Sequence, residues 1–330
     1  MLIRYFKSSF YPQYLLLVLL AAGLWAGVLY HGCSQTETGK ESPLFMVLTG
    51  AVGFNSLLGL FVGFILTLFA AFLLNFILIR HELLPKNGLI GALVFVILMS
   101  HPALALGMNP VITAGLFIVL AFDRILSTYG KADPTQEVFS AAFLSALASV
   151  IYFPSVVLIL LLLISFVVFG TFSFRMLLVA VSGILAVYLY LFVFYFLNDQ
   201  LEVQYEVYSE WIRTMPDMAF LSSGAEYVVW IMVLLMFIAA IMHLFSHLNE
   251  WNISVRKKAL MTMWLVMLGV ITVFYEGDKL PIALLLIMIP VSAIIAVYLA
   301  SRKKPNLMME IYLILIYLAT LANNLFFTTC

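Results

Sequence analysis

Long apolar runs alternate with short polar clusters along this chain, the spacing of a helical membrane protein rather than of a soluble fold. A crossing helix needs about 20 apolar residues, because a rise of about 1.5 Å per residue must cover a hydrocarbon core of about 30 Å. By that measure the sequence predicts about eleven spans. They are 14–30, 57–79, a short pair at 89–101 and 111–122, a second short pair within 136–170, then 176–197, 227–248, 260–275, 281–300 and 307–327. The run from 43 to 80 is too long for one crossing, and Gly50, Gly53 and Asn55 interrupt it, so its first part reads as an interfacial or re-entrant piece. The pair within 136–170 hinges at Tyr152-Phe153-Pro154-Ser155, where proline removes a backbone donor. The expected fold is all-α: one polytopic transmembrane bundle occupying residues 1–330.

A single long polar interruption, residues 198–224, breaks this pattern. Its Asp199, Glu202, Glu206, Glu210, Arg213 and Asp217 follow at steps of three or four and share one helix face. Leu201, Tyr205, Tyr208, Ile212 and Met215 form a neighbouring apolar face with Trp211 at its border, and Pro216 ends the helix. The pattern predicts an amphipathic helix lying along a membrane boundary. Its polar face is acidic, which excludes anionic lipid as its target; Glu210 and Asp217 lie within helix-pairing distance of Arg213.

Charge sets the orientation. Of the sixteen Lys and Arg residues, thirteen fall on one side of the predicted topology, and only Lys40, Arg213 and Lys279 on the other. Cytoplasmic loops collect basic residues, so the N-terminus is expected inside and the 198–224 helix outside, as in a bacterial inner membrane. Hydrophobic residues make up 65% of the chain and charged ones 10%, against about 25% charged in a soluble domain. The net charge of zero gives no reason to expect a nucleic-acid partner. The opening 33 residues, ending in Cys33, resemble a lipoprotein leader, but Tyr30 and His31 stand where small residues belong, so a cleaved signal is not expected.

Polar residues deep in spans mark ion or proton paths. Here they reduce to Asn55, Asn75, Ser145 and Ser165, too few for a proton-coupled pump. Glu137, Glu226 and Glu310 stand near helix ends, where a carboxylate reaches headgroup water, and Asp123-Arg124 reads as a local pair. His243, His247 and Glu250 share a helix face at metal-ligand spacing, yet they sit at a span end beside Trp251, where interfacial polar residues belong, so no metal is expected. Cys33 and Cys330 both fall outside, where a disulfide is permitted, although nothing in the sequence brings them together. No nucleophile elbow, phosphate loop or dinucleotide fingerprint is present, and no cofactor is expected.

The outer face then carries the chemistry: the acidic helix, His31, the turn from His101 to Pro110, and Asn323-Asn324. Carboxylates, one arginine and aromatic rings suit a sugar carried on a lipid phosphate. The expected substrate-binding residues are Arg213 for the phosphate, with Glu206, Glu210, Tyr208, Trp211 and His101 around the glycan. Other readings are a structural lid helix, a membrane transporter, and a non-catalytic scaffold whose partner is another membrane protein. Beyond the lipid bilayer itself, the expected partner is the lipid-linked glycan or such a membrane protein.

The stretches IRYFKSSFYPQYLL, LLNFILIRHELLPKNGLIGALVFV, MNPVITAGLFIVLAFDRIL and FSAAFLSALASVIYFPSVVLILLLLISFVVF, with FLND after it, resemble an uncharacterised family of polytopic inner-membrane proteins of Bacteroidota. The resemblance covers roughly the first 200 residues. It implies an envelope location and assigns no activity. The carotenoid-cleaving oxygenase label of some relatives requires a four-histidine iron site, which the five scattered histidines here do not supply. In architecture alone, the chain looks like polymerases and ligases of surface polysaccharides.

Overall fold

The computed structural model describes residues 2–8, 10–31, 42–52, 57–86, 88–101, 106–199, 201–202, 205, 209, 224–273, 280–301 and 307–326. Among the described residues there are helices and connecting turns but no strand. Lipid favours this outcome, since a helix satisfies its backbone hydrogen bonds within one segment. In chain order the helices are α1 (Leu2–Phe6), α2 (Tyr11–His31), α3 (Pro43–Val52), α4 (Leu57–Arg80), α5 (Ile90–Met99), α6 (Pro110–Leu126), α7 (Thr135–Ile151), α8 (Ile159–Phe169) and α9 (Phe174–Leu197). They continue with α10 (Gly224–His247), α11 (Ile253–Val273), α12 (Leu280–Ser301) and α13 (Leu307–Phe326).

Among the described residues, six helices are long and apolar enough to cross a membrane: α2, α4, α9, α10, α12 and α13. Three further apolar stretches, α5, α7 and Phe153–Phe169, are shorter. Local chemistry sets several boundaries. Asn109 caps α6, its side-chain oxygen accepting from the Ile112 amide at 2.7 Å, with Pro110 at the first helical position. At the proline hinge α7 stops at Ile151, Tyr152 is extended, and a 3-10 turn over Phe153–Leu158 leads into α8.

The bundle has a centre and a margin. In α12, 78% of the Leu284–Ser301 window is buried, against 17% of α9, whose sides face the surrounding medium. All ten residues of α5 are buried, and α5 packs along α12 and α4. Small residues permit the tightest approaches, as membrane helix contacts favour. At Gly27 on α2, an added Cβ would lie 2.1 Å from the Asn324 carbonyl oxygen of α13. At Gly63 on α4 it would lie 2.2 Å from the Gly107 carbonyl oxygen, before α6.

One end of the bundle gathers basic side chains. Arg80 and His81, where α4 ends, both reach Asp123 on α6, at 3.1 and 2.9 Å. Lys131 pairs with Glu137, Arg175 with Asp133 at 3.4 Å, and the Lys257 ammonium stands 5.5 Å from the centre of the Tyr129 ring. The Thr135 hydroxyl, followed by Arg175, holds the exposed Asp133 carboxyl below its ordinary range. The Leu89 amide donates to the Phe6 carbonyl, which brings α1 and Lys7 to the same end.

Candidate functional site

The length of α5 fixes the position of the candidate site. Ten residues rise about 15 Å, half the hydrocarbon core. The helix leaves the basic end and stops within the bundle, at Ser100 and His101, which are 0% and 2% exposed. The sequence places His101 in a turn at the outer face, whereas the structure encloses it, because neighbouring helices run on past the end of α5.

Three helices are tied together at this point. The Trp25 indole of α2 donates to the Ser100 hydroxyl at 3.2 Å. The Asn324 amide of α13 donates to the carbonyls of Ser100 and Leu24, at 2.9 and 3.0 Å. The His101 ring lies against Trp230 of α10, with centroids 5.2 Å apart and planes tilted by 58°. Glu226 stands one turn before Trp230 on the same face of α10 and is buried. The sequence predicts that it reaches headgroup water; instead it turns inward, in the first turn of its helix, where the helix dipole favours a carboxylate. Asn323 is also buried. It follows Tyr312 by about three turns on one face of α13, and the Tyr312 hydroxyl donates to the Met232 carbonyl of α10 at 2.9 Å, so Asn323 is directed toward α10.

The electrostatic state of this cluster is its most informative property. Both His101 ring nitrogens, the Trp230 indole nitrogen and the Asn323 side-chain oxygen are buried with no hydrogen-bond partner among the described residues. Each such group costs about 1 to 3 kcal/mol, and buried polar groups in folded proteins are usually satisfied. Together they offer one donor and one acceptor on a neutral imidazole, an indole donor and an amide acceptor. Beside two aromatic rings, that is a set suited to hydroxyl groups.

Of the residues expected to bind substrate, His101 belongs to this cluster, while Glu206, Tyr208, Glu210, Trp211 and Arg213 lie outside the described residues. So do Asn55, Cys33 and Cys330. Asn75 is buried near the basic end, where its amide donates to the Gly88 carbonyl at 2.9 Å, and the Ser165 hydroxyl bonds to the Leu162 carbonyl of its own helix. The His243 and His247 rings stack at 4.2 Å, and no group of three or more metal-ligating side chains occurs among the described residues. Glu137 and Glu310, expected at headgroup level, are buried. Ser100, Trp25 and Trp230 were not distinguishable as site residues by hydropathy. The available signal was the short apolar run closed by Ser100-His101.

A family model described as a family of unknown function (DUF6427) matches residues 43–329, and the chain belongs to that family. No curated protein and no solved structure matches it.

Proposed function

We propose that this member of the family is an integral protein of a bacterial inner membrane, of the Bacteroidota type, that acts in envelope biogenesis by binding the sugar of a lipid-linked glycan. In this reading the basic end faces the cytoplasm and the short helices pair to complete eleven crossings, which leaves the His101 cluster in the outer half of the bilayer. The carrying observation is the buried His101, with two unpartnered ring nitrogens beside the equally unpartnered Trp230 indole. A pyranose ring stacked on Trp230 would satisfy His101 and Asn323 with its hydroxyls. The acidic outer segment, with Arg213 for the phosphate, would hold the remainder of the ligand. Entry requires α10 to move outward, and only 28% of the Glu226–Glu250 stretch is buried.

The test is a strain whose only copy carries His101→Phe, compared with the deletion strain and the wild type for surface polymer and lipid-linked intermediates. Short polymer and accumulated intermediates in both strains support the reading. Normal profiles in both remove it.

A transport reading has one observation in its favour: α5 spans half the core and ends within the bundle, packed along α12, which carries Pro290 in its interior. Interrupted helices of this kind surround substrate sites in secondary transporters. Substrate uptake into vesicles containing only this protein, with no change in any glycan intermediate, would favour that alternative.

A further inference from the structure

At the basic end, a recess of about 560 Å³ opens between the turn after α4, the turn after α10 and the last turn of α12. Its polar lining is Glu82, Lys86, Glu250, Trp251, Asn252 and Ser301. Lys86 also borders a neighbouring cavity of about 270 Å³, which Asn75 lines. The side-chain oxygen of Asn75 is buried and has no hydrogen-bond partner among the described residues. Glu82, Lys86 and Glu250 form no ion pair within 4.0 Å among the described residues, although all three line one recess and Lys258 lies close enough to Glu82 to interact with it at longer range.

The backbone fixes the position of Glu82. The Leu83 and Glu82 amides donate to the Leu78 and Ile79 carbonyls, at 2.9 and 3.1 Å, the hydrogen-bond pattern of a Schellman motif closing α4. This places Glu82 at the left-handed position, φ 63°, which favours glycine and costs another residue about 1 kcal/mol or more. A carboxylate is therefore held at the recess in a strained conformation.

We propose that this recess binds the head group of a phospholipid bearing both a phosphate and a primary ammonium, of the phosphoethanolamine type. Lys86 pairs with the phosphate, Glu82 and Glu250 accept from the ammonium, and half-buried Trp251 lies at the interfacial depth where its ring is favoured. A head group without an amine leaves both carboxylates without a charged donor, and a trimethylated ammonium has no N–H to donate. The chemistry selects the zwitterion with a protonated primary amine. This proposal is independent of the reading of the His101 end.

The test is native mass spectrometry of the full, delipidated chain in detergent, titrated separately with phosphatidylethanolamine, phosphatidylcholine and phosphatidylglycerol of identical acyl chains. The ethanolamine lipid should bind at about tenfold lower concentration than either of the others, the factor expected for one charge-assisted hydrogen bond. Glu250→Gln, at an exposed position, should bring the three lipids to within about twofold with helix content unchanged, whereas Lys86→Ala, also exposed, should weaken all three alike, since each carries the phosphate. Equal or tighter binding of the glycerol or choline lipid to the wild type would overturn the proposal without any variant. So would a preference that survives Glu250→Gln.

Discussion

The two ends of this bundle resolve the same problem, polar atoms among apolar helices, in opposite ways. At the basic end, outside the recess that Glu82, Lys86 and Glu250 line, charge is matched: Asp123 accepts from both Arg80 and His81, and Lys131 and Arg175 each have a carboxylate. Around His101 the groups are largely neutral and the hydrogen bonds are divided. Ser100, Trp25 and Asn324 hold three helices together, while His101, Trp230 and Asn323 carry unsatisfied atoms. The first arrangement serves stability. The second sacrifices stability for binding capacity, and that difference makes the His101 end the candidate for glycan binding.

The comparison breaks most severely if Asp123 is removed. Asp123→Ala leaves a buried imidazole and a half-exposed guanidinium without their carboxylate. Breaking a buried ion pair costs about 3 to 5 kcal/mol, and the exposure of Arg80 sets the expectation at about 3. Thermal unfolding of the purified protein in detergent measures the loss; a change below about 1 kcal/mol would show that the network contributes little. The next largest effect is expected at Gly27. A methyl group there meets the Asn324 carbonyl, so Gly27→Ala must separate α2 from α13, at about 2 kcal/mol, and weaken the hydrogen bonds of Asn324 to Leu24 and Ser100. An unchanged melting temperature would mean that the two helices separate without loss.

These features were unequally legible in the sequence. The apolar runs located the helices, and Tyr152-Phe153-Pro154 located the break between α7 and α8, because proline chemistry acts locally. Of the basic residues that charge counting grouped, Lys7, Arg80, Lys131, Arg175 and Lys257 lie at one end of the structure. His101 and Asn323-Asn324 stood out as polar residues at span ends, yet their burial did not. In a helix apolar on all sides, periodicity carries little information about which face turns inward, so Glu226 and Glu310 read as interfacial. Trp25 and Trp230 were invisible for the same reason: their polar edge matters only once α5 is seen to stop beside them.

A smaller effect of opposite sign is expected at His101. His101→Phe keeps a ring against Trp230 and removes two buried nitrogens that nothing satisfies. The variant should gain about 1 kcal/mol in the same melting experiment while losing glycan function in cells. A loss of stability would mean that the imidazole is structural, and the contrast between the two ends would disappear.

The smallest effect separates strain from binding at the basic end. Glu82→Gly relieves a left-handed glutamate at the end of α4, while glycine loses more conformational freedom on folding. The two terms nearly cancel, leaving a gain of about 0.5 kcal/mol. Glu82→Ala removes the same carboxylate without relieving the backbone, so it should not gain stability. The stability difference between the two variants therefore reports the backbone term alone, and any loss of ethanolamine-lipid preference that they share reports the carboxylate. If both variants melt together, the φ of 63° at Glu82 carries no strain, and Glu82 contributes to the recess only through its charge.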